Sequence, residues 1–291
     1  EVKDVEHVEM NYKQTGKRRK PKAFIRRYGR VMIGGIIIAT LLFLAFFSSI
    51  VTKYDPNEMN IAVAKQPPSK EHPCGTDIYG RDLFSRIVYG TRITLIVALG
   101  TQFFVMLIGT VCGLLCGYYR RVDAILMRIM EGLNALPQLL LALVIAAVLG
   151  KGVGKMMISL VVCSLPQITR MMRGQVLSLR EKEFIEAEKA MGASDFRTIF
   201  LHILPHCTPY LLIRFNTGLS STVLALASLS YLGVGLDPSI PNWGAIISDG
   251  QSMLMVFPHM VVYPGIAICL TVFGFNMFGE GLRDILDPKL Q

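Results

Sequence analysis

No Cys-x-x-Cys pair exists among the six cysteines at positions 74, 112, 116, 163, 207 and 269, and most of them stand in apolar stretches where a thiol behaves as a small hydrophobe. Neither a disulfide framework nor a zinc site is expected. Charge is scarce too: 18% of the 291 residues are charged against 52% hydrophobic, which excludes a disordered or collagen-like chain. Six stretches have no Asp, Glu, Lys, Arg or His at all: residues 31–51, 93–119, 133–150, 156–169, 215–236 and 261–279. The first two, 21 and 27 residues long, suffice to cross a hydrocarbon layer of about 30 Å. A soluble chain would scatter these apolar residues at helix or strand period. The expected fold class is therefore an all-α membrane protein with six transmembrane helices. The fourth block, short and containing Pro166, is expected to belong to a longer helix that emerges past Arg170 and Arg173, bent at Pro166.

Other absences exclude chemistry. Carriers driven by protons or sodium place a carboxylate or histidine at membrane depth, where it does the coupling; the uncharged blocks speak against a secondary carrier and leave a passive channel, a structural subunit or a gate powered from elsewhere. A phosphate-binding loop needs G-x-x-x-x-G-K-[ST]. Around Gly154-Lys155 the first glycine position is Leu149 and the last residue is Met156, so ATP hydrolysis by this chain is not expected. No Ser/His/Asp group or carboxylate pair forms a plausible constellation, and no catalytic residue is assigned. His202 and His206 are four apart but straddle Pro205, and Met253, Met255 and His259 read as packing residues before they read as ligands of a soft cation such as nickel, so no metal site is assigned.

The net charge of +9 is concentrated: residues 13–30 hold nine basic residues and no acidic one. Directly before an apolar span, such a run reads as a cytoplasmic anchor on anionic headgroups and not as a nucleic-acid site. No small-residue cleavage site follows the first span, which is expected to be retained rather than removed as a signal peptide. Basic residues cluster in 1–30, 120–132, 170–207 and the tail, while 237–260 has none, which places both termini in the cytoplasm.

Two connections carry motifs. In the cytoplasmic one, 183–204, Phe184, Ala187 and Met191 fall on one helix face, with Glu183, Glu186 and Lys189 on the other. Gly192 suits a left-handed stop, Ser194 caps a second helix with Asp195 at its positive end, and Phe196, Ile199, Phe200 and Ile203 form its apolar face. Pro205 and Pro209 are expected to end that helix. On pattern alone this is a helix–glycine–helix knob that either docks a protein or rests on headgroups as an interfacial helix. Its sequence resembles the docking motif of the membrane subunits of ATP-binding-cassette (ABC) importers, E-A-A-x3-G-x9-I-x-L-P. Glu186, Ala187, Gly192, Leu204 and Pro205 match, while Glu188 replaces the second alanine and His202 the isoleucine. The resemblance implies that Glu183, Glu186, Ala187, Glu188, Gly192, Ala193, Asp195, Leu204 and Pro205 contact an ATPase.

The external connection reads as turns at Gly75 and Gly80 before an interfacial elbow helix, with Leu83, Ile87 and Val88 toward the membrane surface and Asp82 capping or pairing with Arg86. Gly75-Thr76-Asp77-x-x-Gly80-Arg81-Asp82 followed by Tyr89-Gly90-x-Arg92 is similar to the signature of the second membrane subunit of dipeptide, oligopeptide and nickel ABC importers. Arg173-Gly174-Gln175, Tyr231-Leu232-Gly233-Val234-Gly235 and Pro241-Asn242-Trp243-Gly244 extend the likeness from about residue 70 to the C-terminus.

What the resemblance implies is a type I importer-like permease in a bacterial or archaeal plasma membrane, the inner membrane of a Gram-negative cell. Its partners would be a homologous second permease subunit, two cytoplasmic ABC ATPase subunits that hold ATP and magnesium, and an external solute-binding protein; this chain would carry no cofactor and bind no nucleic acid. The implied cargo is di- or oligopeptides, with glutathione or nickel chelates as alternatives. The expected organisation is a basic arm 1–30, a first span 31–52, an external loop and elbow 53–92, a permease core 93–279 and a tail 280–291. In the fifth block Thr217, Ser221 and Ser228 fall near one face with Asn216 and Ser220 beside it; this uncharged polar stripe is either a solute path or close helix packing.

Overall fold

The structure is a computed structural model and describes residues 21–286. Most of the basic arm and the end of the tail lie outside the described residues. Among those described there is no strand, only a single antiparallel bridge between Thr76 and Asp82. The helices are α1 (Pro21–Phe46), α2 (Ser48–Val51), α3 (Leu83–Tyr118), α4 (Arg120–Asn134), α5 (Gln138–Leu149), α6 (Val153–Arg180), α7 (Glu183–Ala190), α8 (Asp195–Arg197), α9 (Leu204–Tyr231), α10 (Trp243–Gly250) and α11 (His259–Leu286). A π turn, Thr198–Ile203, joins α8 to α9 without a break.

Four helical runs are long and apolar enough to cross a membrane: Tyr28–Phe46, Leu83–Tyr118, Asp195–Tyr231 and His259–Ile285, or five with the pair α4–α5, which bends by 91°. Several expected boundaries change. The first span stops at Phe46, and α2 follows after the break at Phe47. The block 133–150 is split: its start belongs to the amphipathic α4, and the twelve-residue α5 is apolar from Leu139 onward. The fourth block does extend past Arg170 and Arg173, to Arg180, with Pro166 inside α6.

The elbow is not a separate interfacial helix. It forms the first turns of the 36-residue α3, with Leu83 and Val88 buried in protein instead of facing headgroups. Continuity costs nothing there, because Asp82 caps the helix by accepting from the Ser85 amide and no breaker separates Leu83 from Ile93.

Close backbone approach organises the bundle. Gly109, Gly113 and Gly117 recur every four residues along α3 and lie against α6. Added Cβ atoms there would meet Ile168 Cγ2 at 2.7 Å, Thr169 O at 2.8 Å and Val176 Cγ1 at 2.6 Å. In lipid, where apolar burial gives helices little reason to associate, small residues let dispersion contacts do so. Gly34 of α1 and Gly274 of α11 serve the same purpose at the far side of the bundle. Outward, Phe43, Phe103, Leu107, Val148 and Phe273 remain exposed, as lipid-facing or subunit-facing side chains are.

Candidate functional site

The end of the bundle at which α3 begins is fastened by buried charge. Asp77 accepts from its own loop, the Tyr79 amide at 2.8 Å and the Arg81 amide at 2.9 Å, and its Oδ2 takes Arg81 Nε and Arg86 Nη1, both at 2.6 Å. Asp249 of α10 meets Arg81 Nη2 at 2.8 Å and Arg86 Nη1 at 3.4 Å. Asp82 pairs with His72 at 2.9 Å and not with Arg86. Thr76 Oγ1 donates to Val63 O at 2.5 Å, and Gly75 and Gly80 adopt φ of 80° and 75°. The signature Gly75–Asp82 thus ties the loop before α3 to α3 and α10. Burial, then the nearby Asp82 carboxylate, push the Cys74 thiol up to about 11, so it stays protonated at neutral pH and is a poor nucleophile.

The motif at residues 241–244 completes this fastening. Asn242 caps α10 by accepting from the Ala245 amide at 2.9 Å, and Trp243, 1% exposed, donates its indole N–H to Ile87 O at 3.0 Å. Gly90 leaves room for that ring: a Cβ there would stand 3.1 Å from Trp243 Cδ1. At the turn before α6 the Gly152 amide donates to Gly235 O at 2.7 Å.

At the opposite end stands the knob. Gly192 has φ of 82°, and the Ala193 amide reaches back to Glu188 O at 3.1 Å, the closure of a helix C-cap. Ser194 caps α8 by accepting from the Arg197 amide. The proline expectation is overturned: Pro205 lies in the first turn of α9 and Pro209 inside it. The π turn widens the helix ahead of Pro205, so its ring finds room and its missing N–H leaves a first-turn donor vacant.

The face of α7 that turns into the bundle is the one around Ile185, which the sequence pattern did not single out. Ile185 is fully buried in a cluster with Met172, Val176, Ile199 and Ile203, while Phe184 (40% exposed), Ala187 and Met191 (77%) face outward beside Phe196 (68%). Glu183, Glu186 and Pro205 are exposed, Ala193 and Leu204 partly so. Asp195 is occupied from within the chain: its carboxylate accepts from Tyr118 Oη at 2.6 Å and Tyr119 Oη at 3.0 Å. Those two tyrosines at the foot of α3 were not legible as site residues, because nothing local links them to position 195.

Glu188 and His202, the two departures from the docking motif, face each other with His202 Nε2 3.0 Å from Glu188 Oε1. They clasp α7 to the π turn where the motif has two apolar residues. Glu188→Ala alone should therefore strand the imidazole, whereas Glu188→Ala with His202→Ile should restore the knob. A double-mutant cycle on thermal unfolding in detergent is expected to give a coupling of about 0.5–1.5 kcal/mol; strictly additive effects would refute the clasp.

The polar stripe of α9 divides. Asn216 and Ser220 are buried, Ser220 Oγ donating to Asn276 Oδ1 of α11 at 2.8 Å. Thr217, Ser221 and Ser228 lie on the other row, their hydroxyls donating to carbonyls of their own helix at 3.2, 3.0 and 2.8 Å. Buried Gln102 of α3 joins the packing side, donating to Gly218 O at 3.0 Å and Thr222 Oγ1 at 2.7 Å. Arg214, one residue ahead of the uncharged block, donates to Gln167 Oε1 of α6.

A family described as "Binding-protein-dependent transport system inner membrane component" matches residues 109–291. The chain is 38% identical over 272 residues to the glutathione transport system permease protein GsiD of Pectobacterium atrosepticum, covering 93% of this chain and 90% of that one. It is 40% identical over 261 residues to the dipeptide transport system permease protein DppC of Alkalihalophilus pseudofirmus (89% and 86%). The oligopeptide transport system permease protein OppC of Bacillus subtilis is 37% identical over 261 residues (89% and 86%).

Proposed function

We propose, from the premise that this chain belongs to the binding-protein-dependent transport system inner membrane component family, that it is the permease subunit of an ABC importer for peptides. It is a multi-pass protein of a bacterial membrane. Dipeptide, oligopeptide and glutathione permeases among its relatives share a cargo chemistry, the peptide bond with a free carboxylate, and we assign that class here.

In this reading α1, α3, the bent pair α4–α5, α6, α9 and α11 make six crossings, so both termini are cytoplasmic. Counting α6 as a crossing is supported by its glycine contacts along α3. The permease core lies within 93–279, and a homologous second subunit completes the path. Two ATPase subunits, which hold ATP and magnesium, grip the 183–204 knob, and an external solute-binding protein delivers cargo. The observation that carries the reading is the knob's outward surface: Phe184, Met191 and Phe196 are exposed around Gly192, while Ile185 and the Asp195–tyrosine contacts fix its base in the bundle. A surface so held passes a push from an ATPase into α3 and α9 as a rigid-body movement.

Reconstitution into vesicles, with and without the ATPase subunits and ATP, tests it. Uptake is expected only when ATP, ATPases and the solute-binding protein are all present. Gradient-driven uptake by this chain alone would identify a secondary carrier, and nucleotide-independent leak a passive channel.

A further inference from the structure

Arg214 is a cation within a membrane-crossing helix, and no carboxylate among the described residues pairs with it; its contact is the Gln167 amide oxygen of α6. Depth follows from helix rise. Arg214 is 17 residues before Tyr231 and Gln167 is 15 after Gly152, and these two outer ends are joined through the Gly152–Gly235 bond. At about 1.5 Å per residue the pair lies roughly 22–26 Å below them, in the inner third of a layer about 30 Å thick. Arg170, three residues beyond Gln167 and so on the same face of α6, is exposed and, among the described residues, likewise without a carboxylate partner.

A charge at that depth is costly and persists where it does a task. Above Arg214 the row Thr217, Ser221, Ser228 runs outward along α9, each hydroxyl proton tied to its own helix, so the row presents acceptor oxygens and ends below at a cation. Contact with Gln167 draws the Arg214 guanidinium sideways to α6, which opposes snorkelling to the inner headgroups.

We propose that Arg214, positioned by Gln167 and reinforced by Arg170, forms an anion subsite at the inner end of the path that receives the terminal carboxylate of the passing peptide. This rests on the permease reading above. Guanidinium suits the task because its planar fork matches a carboxylate and keeps its charge at any physiological pH.

The test uses the complete complex in proteoliposomes, with tri-alanine and its C-terminal amide as probes at concentrations saturating the solute-binding protein. Arg214→Gln is expected to lower ATP-driven uptake of the free acid by about tenfold, the loss of one charge-assisted contact. Uptake of the amide should change less than about threefold in the same variant, and Arg214→Lys should recover most free-acid uptake. Co-purification of the other subunits should be unchanged. Equal loss for both probes, or no loss for either, overturns the subsite. Loss of the companion permease subunit would assign Arg214 to a subunit contact, and a defect that follows the phosphatidylglycerol content of the vesicles would assign it to lipid; either also overturns it. Absence of ATP-driven uptake by the wild-type complex would count against the permease reading itself, whereas wild-type uptake with an indifferent Arg214→Gln removes the subsite alone.

Discussion

Asp77→Ala is expected to destabilise the end of the molecule at which α3 begins by about 3–5 kcal/mol, the penalty for leaving a buried ion without its partner. Arg86 is 1% exposed, and its charge is balanced at 2.6 Å by Asp77 and only at 3.4 Å by Asp249. Arg81 is nearly as buried and leans on the same Oδ2. Removing that carboxylate leaves two adjacent guanidinium groups with one half-exposed acceptor between them. It also removes the acceptor for the Tyr79 and Arg81 amides that shapes the loop. Asp249→Ala is the matched control: its side chain is 31% exposed, so water can replace it and a loss of about 1 kcal/mol is expected. Thermal unfolding of the detergent-solubilised complex reads the difference; equal effects of the two variants would refute the assignment of Asp77 as the centre of the cluster.

Gly192→Val is expected to reduce transport-coupled ATP hydrolysis by about tenfold or more while leaving the transmembrane bundle assembled, since misplacing a docking surface by one turn forfeits its contacts. The cause is backbone conformation and not crowding. No atom lies within 4 Å of a Cβ built at Gly192, but its φ of 82° is a region that a β-branched residue adopts only with strain. The strain would be relieved by reopening the turn, which would displace Phe184 and Met191 relative to Phe196. Gly192→Asn, tolerant of that region, should retain most coupling, with Gly192→Ala between the two. The measurements are stimulation of ATP hydrolysis by loaded solute-binding protein and peptide uptake. Full coupling in the valine variant would count heavily against the knob as the ATPase contact.

The sequence reading succeeded where a local rule acts. The left-handed stop at Gly192 and the cap at Ser194 are each specified within a few residues, and both stand in the structure. The family likeness was legible because its glycines, aspartates and prolines recur at fixed spacing. It also placed Trp243 in a motif, although the reason, an indole packed over Gly90, is a contact between distant segments. The Gly109–Gly113–Gly117 repeat is a small-residue spacing that a search for close helix packing would have found.

What the sequence left open shares one cause. Phe184, Ala187 and Met191 do form an apolar face, but periodicity cannot say whether such a face turns toward the bundle or away from it; Ile185 and the Glu188–His202 contact decide that it turns away. One row of the α9 stripe goes to Asn276 and the other stays open for the same reason. Helix continuity through Pro205 depended on the π turn ahead of it, a widening of the backbone that side-chain periodicity does not record.

By itself the sequence determined that the chain lives in a membrane, because a stretch without charge is insoluble in water and cheap in lipid wherever it folds. It also determined that the chain has no phosphate-binding loop, since a loop of that kind is written in consecutive residues. Only the tertiary structure decided which polar groups meet across helices, Arg214 with Gln167 among them. Hydrogen bonds and ion pairs are made between side chains that share space, and a linear text records no distance between positions 167 and 214 or between 77 and 249.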